Sequence, residues 1–512
     1  MKPAARLAPT PQPGELEVPR GEFAAAVATR MAGARFAGLF GSAQGDGPVL
    51  LRAAVSRDGV LEVISCSVPP AGQARPASYP ALTPAVPSAS WYEREVADMF
   101  DLYPVGPLRV DPLVLPRSPQ FPPPRPGSGP RHAESPRAPD ESALPAHVSG
   151  EGVFTLPYGP VRSGIFESVQ YLVETPGEDI PHVRARVYHK HRGIEVRFEG
   201  MAPADGALLA ERVEGVASVA HALAFCQALE AKASGKEVPR GALLVRVLHA
   251  ELERVANHLD SVLRHTEAAG QAVANARLAW HKERLLRLRA ALCGHRFGRG
   301  VVVLGGVAGP PALSPHLAAR ELAGIEADVR ADTRLLMATS SFIDRLRGTG
   351  VITAEVAAER GALGPVARAS GSDEDLRTYR PYAAYGLVQV PEHRYRDGGD
   401  ALSRQLVRLE ELSGSFRLCL LVLEELAEGP VEGPWAGDVA PGEGISWGWA
   451  EAPQGELLYM VEVEGGRLRR VKPRSASFHN LSLFPEAFGG DIFTDFAFIE
   501  ASFGLSIAGA AG

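Results

Sequence analysis

Cysteine is scarce in this chain. Four thiols, Cys66, Cys226, Cys293 and Cys419, are spread over 512 residues, and no C-x-x-C occurs. That excludes an iron–sulfur cluster ligated by this chain in the usual spacings. It also gives no disulfide framework, so a reducing compartment fits. A long apolar run is missing as well. The longest candidate, residues 301–313, is broken by Gly305, Gly306, Gly309, Pro310 and Pro311, against the roughly 18 or more apolar residues of a membrane span. The first 17 residues are rich in Pro and Ala without an apolar signal core, so export is not expected. Any membrane role must therefore pass through partner subunits. There is no basic surplus: the net charge is −7 and no basic block is interleaved with aromatics, which argues against nucleic acid as a partner. No Gly-x-Gly-x-x-Gly follows a strand pattern, so the residues offer no nicotinamide site.

What is present is globular. Hydrophobic residues make up 45% and charged residues 22%, enough for two or three domains with cores of their own. The expected class is α+β: a small N-terminal α+β domain, then a mainly helical domain carrying a small β-sheet. Residues 1–16 read as a flexible N-terminus. In 17–115, a helix is expected over 23–36, strands over 49–55 and 60–68 around the turn Arg57-Asp58-Gly59, and a helix over 91–100. Residues 116–150 are a Pro-rich linker, a spacer or a docking ligand. In 151–512, segments 154–162, 166–174 and 183–189 suggest a small sheet. Leu244, Leu248, Leu252, Val255, Leu259 and Val262 recur at helical spacing, as do Leu402, Leu406, Leu409, Leu412, Phe416 and Leu420. Residues 322–345 form another amphipathic candidate, and 457–463 with 467–471 read as a hairpin around Glu464-Gly465-Gly466. No internal repeat is present.

Four groups of residues could carry chemistry. Glu214, Ala217 and His221, at i, i+3 and i+7, would share one helix face. One carboxylate and one imidazole are too few for a secure metal site, which leaves a polar patch or a proton-handling pair. Glu251, Arg254 and His258 repeat that spacing, either as a solvated stripe or, if buried, as a proton relay, since His titrates near neutral pH. Arg404, Arg408 and Glu411 form a second stripe, with Asp400 placed as the helix cap. Lys472 and Arg474 sit in a short run ending at Asn480 that either holds an anion or is a loop tethered by hydrogen bonds.

Several of these segments are similar to one protein family. Trp91-Tyr92-Glu93-Arg94-Glu95-Val96-Ala97-Asp98-Met99-Phe100 resembles the Glu-Arg-Glu-x-x-Asp-x-Phe signature of the thirty-kilodalton (C-type) subunit of complex I, although Asp101 to Leu108 departs from the Gly-x-x-x-x-Gly-His-Pro that usually follows. The remainder resembles the forty-nine-kilodalton (D-type) subunit of complex I, a relative of nickel-iron hydrogenase large subunits. The carrying segments are His191-Arg192-Gly193-Ile194-Glu195, Val238-Pro239-Arg240, Glu251-Leu252-Glu253-Arg254-Val255-Ala256-Asn257-His258-Leu259, Gly364-Pro365-Val366-Ala367-Arg368, Asp375-Leu376-Arg377, Gly399-Asp400 with Arg404, and Lys472-Pro473-Arg474-Ser475. Their order is that of a fused C/D-type large subunit of membrane-bound, formate-hydrogenlyase-type (group 4) hydrogenases.

The resemblance also exposes losses. Residues 212–221 resemble the hydrogenase motif Arg-x-Cys-Gly-x-Cys-x-x-x-His, with Glu214 and Ala217 in place of the thiolates and Gly215 and His221 kept. The C-terminal Asp-Pro-Cys-x-x-Cys falls on Phe503 to Ala508, with Leu505 and Ala508 at the cysteine positions. A nickel–iron centre needs soft thiolate ligands, so metal-ligand residues are expected to number none and hydrogenase activity is not expected. The forty-nine-kilodalton family also places a tyrosine beside its quinone where this chain has Gly215. Its Gly-Pro-x-His-Pro turn becomes Gly159-Pro160-Val161-Arg162-Ser163 here. The resemblance thus implies an oxidoreductase subunit without a cofactor of its own, with quinone as a candidate acceptor and NADH as the ultimate donor. It implies an iron–sulfur cluster on a partner subunit of the hydrogenase-small-subunit type, membrane-arm subunits that move ions, and a peripheral position on the cytoplasmic side of the inner membrane. The alternative is a non-catalytic scaffold joining the iron–sulfur subunit to the membrane arm. The residues that would line the cavity or relay protons are Arg162, Glu214, His221, Glu251, Arg254, His258, Asp400, Arg404, Lys472 and Arg474.

Overall fold

The computed structural model describes residues 12–43, 45, 47–70, 77–106, 110–115, 126–127, 148, 150–162, 167–235, 237–391, 396–428 and 434–512. The expected flexible N-terminus and Pro-rich linker lie mostly outside these residues.

The N-terminal unit is a four-stranded sheet. Strands Arg35–Ala43, Val49–Arg57 and Val60–Val68 are antiparallel, and Glu15–Glu17 runs parallel along Val60–Val68. The expected helix over 23–36 stops at Arg30, because Gly33 takes a positive φ of 67° and the chain then enters the Arg35–Ala43 strand. That strand is buried at nearly every position because both faces are covered. Leu39 and Leu51 pack under the Ser90–Phe100 helix, whereas Phe40 and Ala54 face the second unit. There, Phe40 meets Trp447 edge-on at 4.8 Å.

The second unit is built around four long helices, Arg240–Ala268, Ala272–Cys293, Pro315–Met337 and Ala401–Glu428, each packed against the next in a closed ring. The expected 322–345 helix is in fact two, Pro315–Met337 and Ser340–Leu346, because Thr339 is extended. Beside the bundle, helix Ser218–Glu230 lies on an antiparallel sheet of Gly444–Ala452, Gly455–Glu464 and Arg467–Arg474. Their approach is so close that a Cβ on Gly448 would fall 2.1 Å from the Ala224 carbonyl oxygen. A second small sheet, Phe154–Tyr158, Gln170–Thr175 and His182–Arg186, covers the C-terminal helices. The 154–162 strand is shorter than expected, ending at Tyr158, and residue 166 lies outside the described set. Lys472 to Asn480 is not a loop. The strand runs to Arg474, Ser475 accepts the Phe478 N–H at 3.0 Å, and helix Ala476–Leu481 follows. No helix among the described residues is long and apolar enough to cross a membrane.

Candidate functional site: a hydrogen-bonded clasp and a buried charge cluster

Glu214 and Ala217 precede the Ser218–Glu230 helix rather than lying on it, so the three residues do not share a helical face as expected. The turn still brings Glu214 Oε2 to 3.4 Å from His221 Nε2. On its other side, His221 Nδ1 bonds the Tyr459 hydroxyl at 2.7 Å. Ser477 donates to Glu214 at 3.2 Å and accepts from the Ser506 N–H at 3.1 Å. A Cβ on Gly509 would lie 2.3 Å from Glu214 Oε2, so the C-terminal segment comes close only because that residue is glycine.

Two residues complete the junction. The Arg192 guanidinium donates to the carbonyls of Arg212 at 2.6 Å, Val213 at 2.5 Å and Ala508 at 3.1 Å. The Glu167 carboxylate accepts the Ala508 N–H at 2.6 Å and the Ser506 hydroxyl at 3.1 Å. The 212–217 and 504–509 segments are therefore clasped together by hydrogen bonds. A nickel–iron group does not fit this donor set. The four positions offer one carboxylate, already bonded to Ser477 and His221, and the apolar side chains of Ala217, Leu505 and Ala508. No group of three His, Cys, Asp or Glu among the described residues is arranged to hold a metal.

Space beside the clasp is small. One cavity of about 30 Å³ is lined by Arg162, Tyr171, Phe503 and Leu505, and a second of about 20 Å³ by Glu167, Asn257 and Ser506. Each holds about one water. Arg162 is bidentate to Glu500, at 2.8 Å for each bond, and lies over the Tyr158 and Tyr171 rings. Glu253 caps the His221 helix by accepting the N–H groups of Val219 at 2.8 Å and Ala220 at 3.0 Å. Burial pushes its carboxyl up to about 7.

The second place is the middle of the bundle. Glu251, Arg254 and His258 do not form a solvated stripe: they are 0%, 1% and 0% exposed. Glu251 accepts from Arg377 at 3.2 Å, from Tyr385 at 2.5 Å and from Ser415 at 2.6 Å, and Arg254 Nε lies 3.5 Å from it. Burial alone would raise its carboxyl, but Arg377 and Arg254 more than reverse this, so Glu251 lies below the usual carboxylate range. His258 Nε2 bonds Glu411 at 2.8 Å, and Arg368 reaches both Glu411 at 2.8 Å and Glu451 at 3.2 Å. The second stripe is thus buried too: Glu411 and Arg408 face this cluster, with Arg408 Nη1 at 3.5 Å from His258 Nδ1. Burial holds His258 down at about 4, so it is neutral at pH 7 and does not titrate there as its residue type suggests. The raised group is Glu451, held above the usual range by burial with Asp375 beside it.

The remaining candidates each tie separate segments together. Asp400 accepts the Ser403 N–H at 2.7 Å, as a cap should, and the Gly348 N–H at 2.8 Å. Arg404 holds the carbonyls of Gly399 and Gly350 and the Ser502 hydroxyl. Lys472 joins Glu95 of the N-terminal unit to Glu195 of the second, while Arg474 pairs with Glu456. The structure thus unites Glu214 with His221 and Ala508, and Glu251 with Arg254 and His258. Arg162 sits at the cavity rim, and Lys472 lies between the units. Sequence reasoning missed Arg192, Glu167, Tyr459 and Glu253 as site residues. Arg192 was visible within His-Arg-Gly-x-Glu; nothing local marks Tyr459 or Glu167.

Comparison with known proteins accounts for both units. The family model described as the respiratory-chain NADH dehydrogenase 49 Kd subunit matches residues 270–442, and that for the 30 Kd subunit matches residues 59–126. The carbon monoxide-induced hydrogenase of Rhodospirillum rubrum is 31% identical over 333 residues, covering 64% of this chain and 90% of that protein. Formate hydrogenlyase subunit 5 of Escherichia coli K12 is 28% identical over 409 residues, covering 78% and 71%. The D-type subunit of the NADH-quinone oxidoreductase of Methylacidiphilum infernorum is 30% identical over 376 residues, covering 68% and 88%. The chain belongs to the family of complex I 49-kilodalton subunits and membrane-bound hydrogenase large subunits, with a 30-kilodalton-type unit fused ahead of it.

Proposed function

We propose that this chain is the large subunit of a membrane-associated, complex-I-like oxidoreductase that works without a nickel–iron centre of its own. The observation carrying this reading is the clasp: Glu214, Arg192 and Glu167 join by hydrogen bonds the two segments that thiolates and metal would otherwise join. Electrons would arrive from an iron–sulfur cluster on a partner subunit, and quinone or another acceptor would be reduced in space bounded by both chains. The cavities beside the clasp, at about 30 and 20 Å³, are far below the ~300 Å³ or more of a ligand pocket. The charge cluster around Glu251 and Glu451 would pass the change in charge toward membrane-arm subunits that translocate an ion. Those subunits would hold the chain at the cytoplasmic face.

One observation favours a second reading. Phe503 and Leu505 line the small cavity beside the clasp, as expected of a site filled by side chains in a non-catalytic scaffold. Metal analysis and redox spectroscopy of the assembly purified with its native partners separate the two. Iron without nickel, and iron–sulfur signals that respond to added quinone, support the first reading. Signals indifferent to every quinone support the scaffold, and stoichiometric nickel overturns both.

A further inference from the structure

A far larger cavity lies away from the clasp. It is a cleft of about 870 Å³ between the two units, within the size range of ligand pockets. One wall is the helix Ala354–Arg360 and its end, presenting Ala354, Ala357, Ala358 and Gly361. These small side chains let a main chain approach closely and offer no deep socket for an aromatic anchor. The opposite lip is the turn between strands Val49–Arg57 and Val60–Val68, with Asp58 at its tip, and the third side is the loop carrying Asp373 and Glu374.

Arg35 lies at the cleft with its side chain only 9% exposed. Its charge is already matched by Glu456 at 2.5 Å and Glu374 at 3.3 Å. Asp58 and Asp373 are exposed and make no ion pair among the described residues. Once Arg35 is offset, the charge left in the cleft is negative.

We propose that this cleft is the docking site for a basic, extended segment of a partner subunit. Its Lys or Arg side chains would meet Asp58 and Asp373, and its backbone would lie along the alanine wall. The charge excludes an acidic peptide or an anionic lipid headgroup. This inference is independent of the redox reading and survives if the subunit proves a pure scaffold.

Two measurements test it. The first uses the full chain and fluorescent octalysine at low salt, followed by anisotropy. The double variant Asp58→Lys, Asp373→Lys is expected to weaken binding at least tenfold. The distant exposed pair Glu424→Lys, Glu428→Lys makes the same change in net charge and is expected to weaken it less than threefold. Equal losses in the two variants, or no binding at all, overturn the proposal. The second uses zero-length carbodiimide cross-linking of the native assembly. Cross-links from Asp58 or Asp373 to a lysine of a partner subunit support it. Cross-links only within this chain, or carboxylates that remain freely labelled by glycine amide in the assembled complex, overturn it.

Discussion

The clasp and the bundle cluster are both buried and polar, yet they are built differently. At the clasp, Glu214 has a hydroxyl, an imidazole and a glycine for neighbours, and the flanking chains are held through main-chain carbonyls and N–H groups. In the bundle, Glu251, Asp375, Glu411 and Glu451 interlock with Arg254, Arg368 and Arg377, each carboxylate touching at least one guanidinium. A site whose charged groups bond main-chain and hydroxyl partners rather than one another can lose one member and stay folded around the gap. A cluster of interlocked ions cannot, because removing one ion strands its partner in low dielectric.

The comparison breaks most visibly at Glu251. Glu251→Ala leaves Arg377 and Arg254 short of a counter-charge and should cost about 3–5 kcal/mol. The expected readout is a large, global fall in the denaturant midpoint, or failure to accumulate as folded protein. Wild-type stability for Glu251→Ala would show that the bundle is no tighter than the clasp.

Glu253 sits between the two regions and gives a pH signature. Its folded pKa of about 7 lies above the ordinary glutamate value of 4.5, so the folded state holds the proton more tightly than the unfolded chain. Its contribution to stability is full below about 4.5 and is lost as pH rises through about 7. His258, depressed to about 4, acts oppositely as pH falls from 6.5. Comparing wild type with Glu253→Gln isolates the first effect. The difference in unfolding free energy between pH 4.5 and pH 8 should reach at most about 3 kcal/mol, and a variant with an unchanged profile would remove Glu253 from that role.

At the clasp, Glu214→Ala should cost about 1–3 kcal/mol and act locally. Hydrogen exchange should quicken in residues 504–512 while the bundle amides keep their protection. Gly509→Ala, which drives a Cβ onto the same carboxylate, should free the same segment by about 1–3 kcal/mol of overpacking. Uniform loss of protection across the chain would show that the clasp and bundle unfold as one. The smallest effect marks the baseline. Arg240→Ala removes an ion pair to Glu425 in which both side chains are at least half exposed, and should change stability by under about 1 kcal/mol.

Much of this was legible in the sequence because it is periodic or local. The apolar spacing from Leu244 to Val262 and from Leu402 to Leu420 located two bundle helices, and Arg57-Asp58-Gly59 and Glu464-Gly465-Gly466 located two hairpins. The Asp400 cap was readable because a capping side chain acts on its own helix. Burial of the charged stripes was not readable. Glu251, Arg254 and His258 have the spacing of a solvated face, and only partners more than 100 residues away, Arg377 and Glu411, make their burial tolerable. The same holds for Tyr459 against His221 and for Glu95 against Lys472.

The sequence by itself therefore determined the family, the helical and hairpin elements, and the loss of the thiolates, because each is written in residue identity and short-range spacing. Only the tertiary structure decided that Glu214 is clasped to the C-terminal segment, that the charged stripes meet in the bundle, and that a negatively charged cleft opens between the units. Those outcomes depend on distance and dielectric between residues far apart in the chain, which no local pattern encodes.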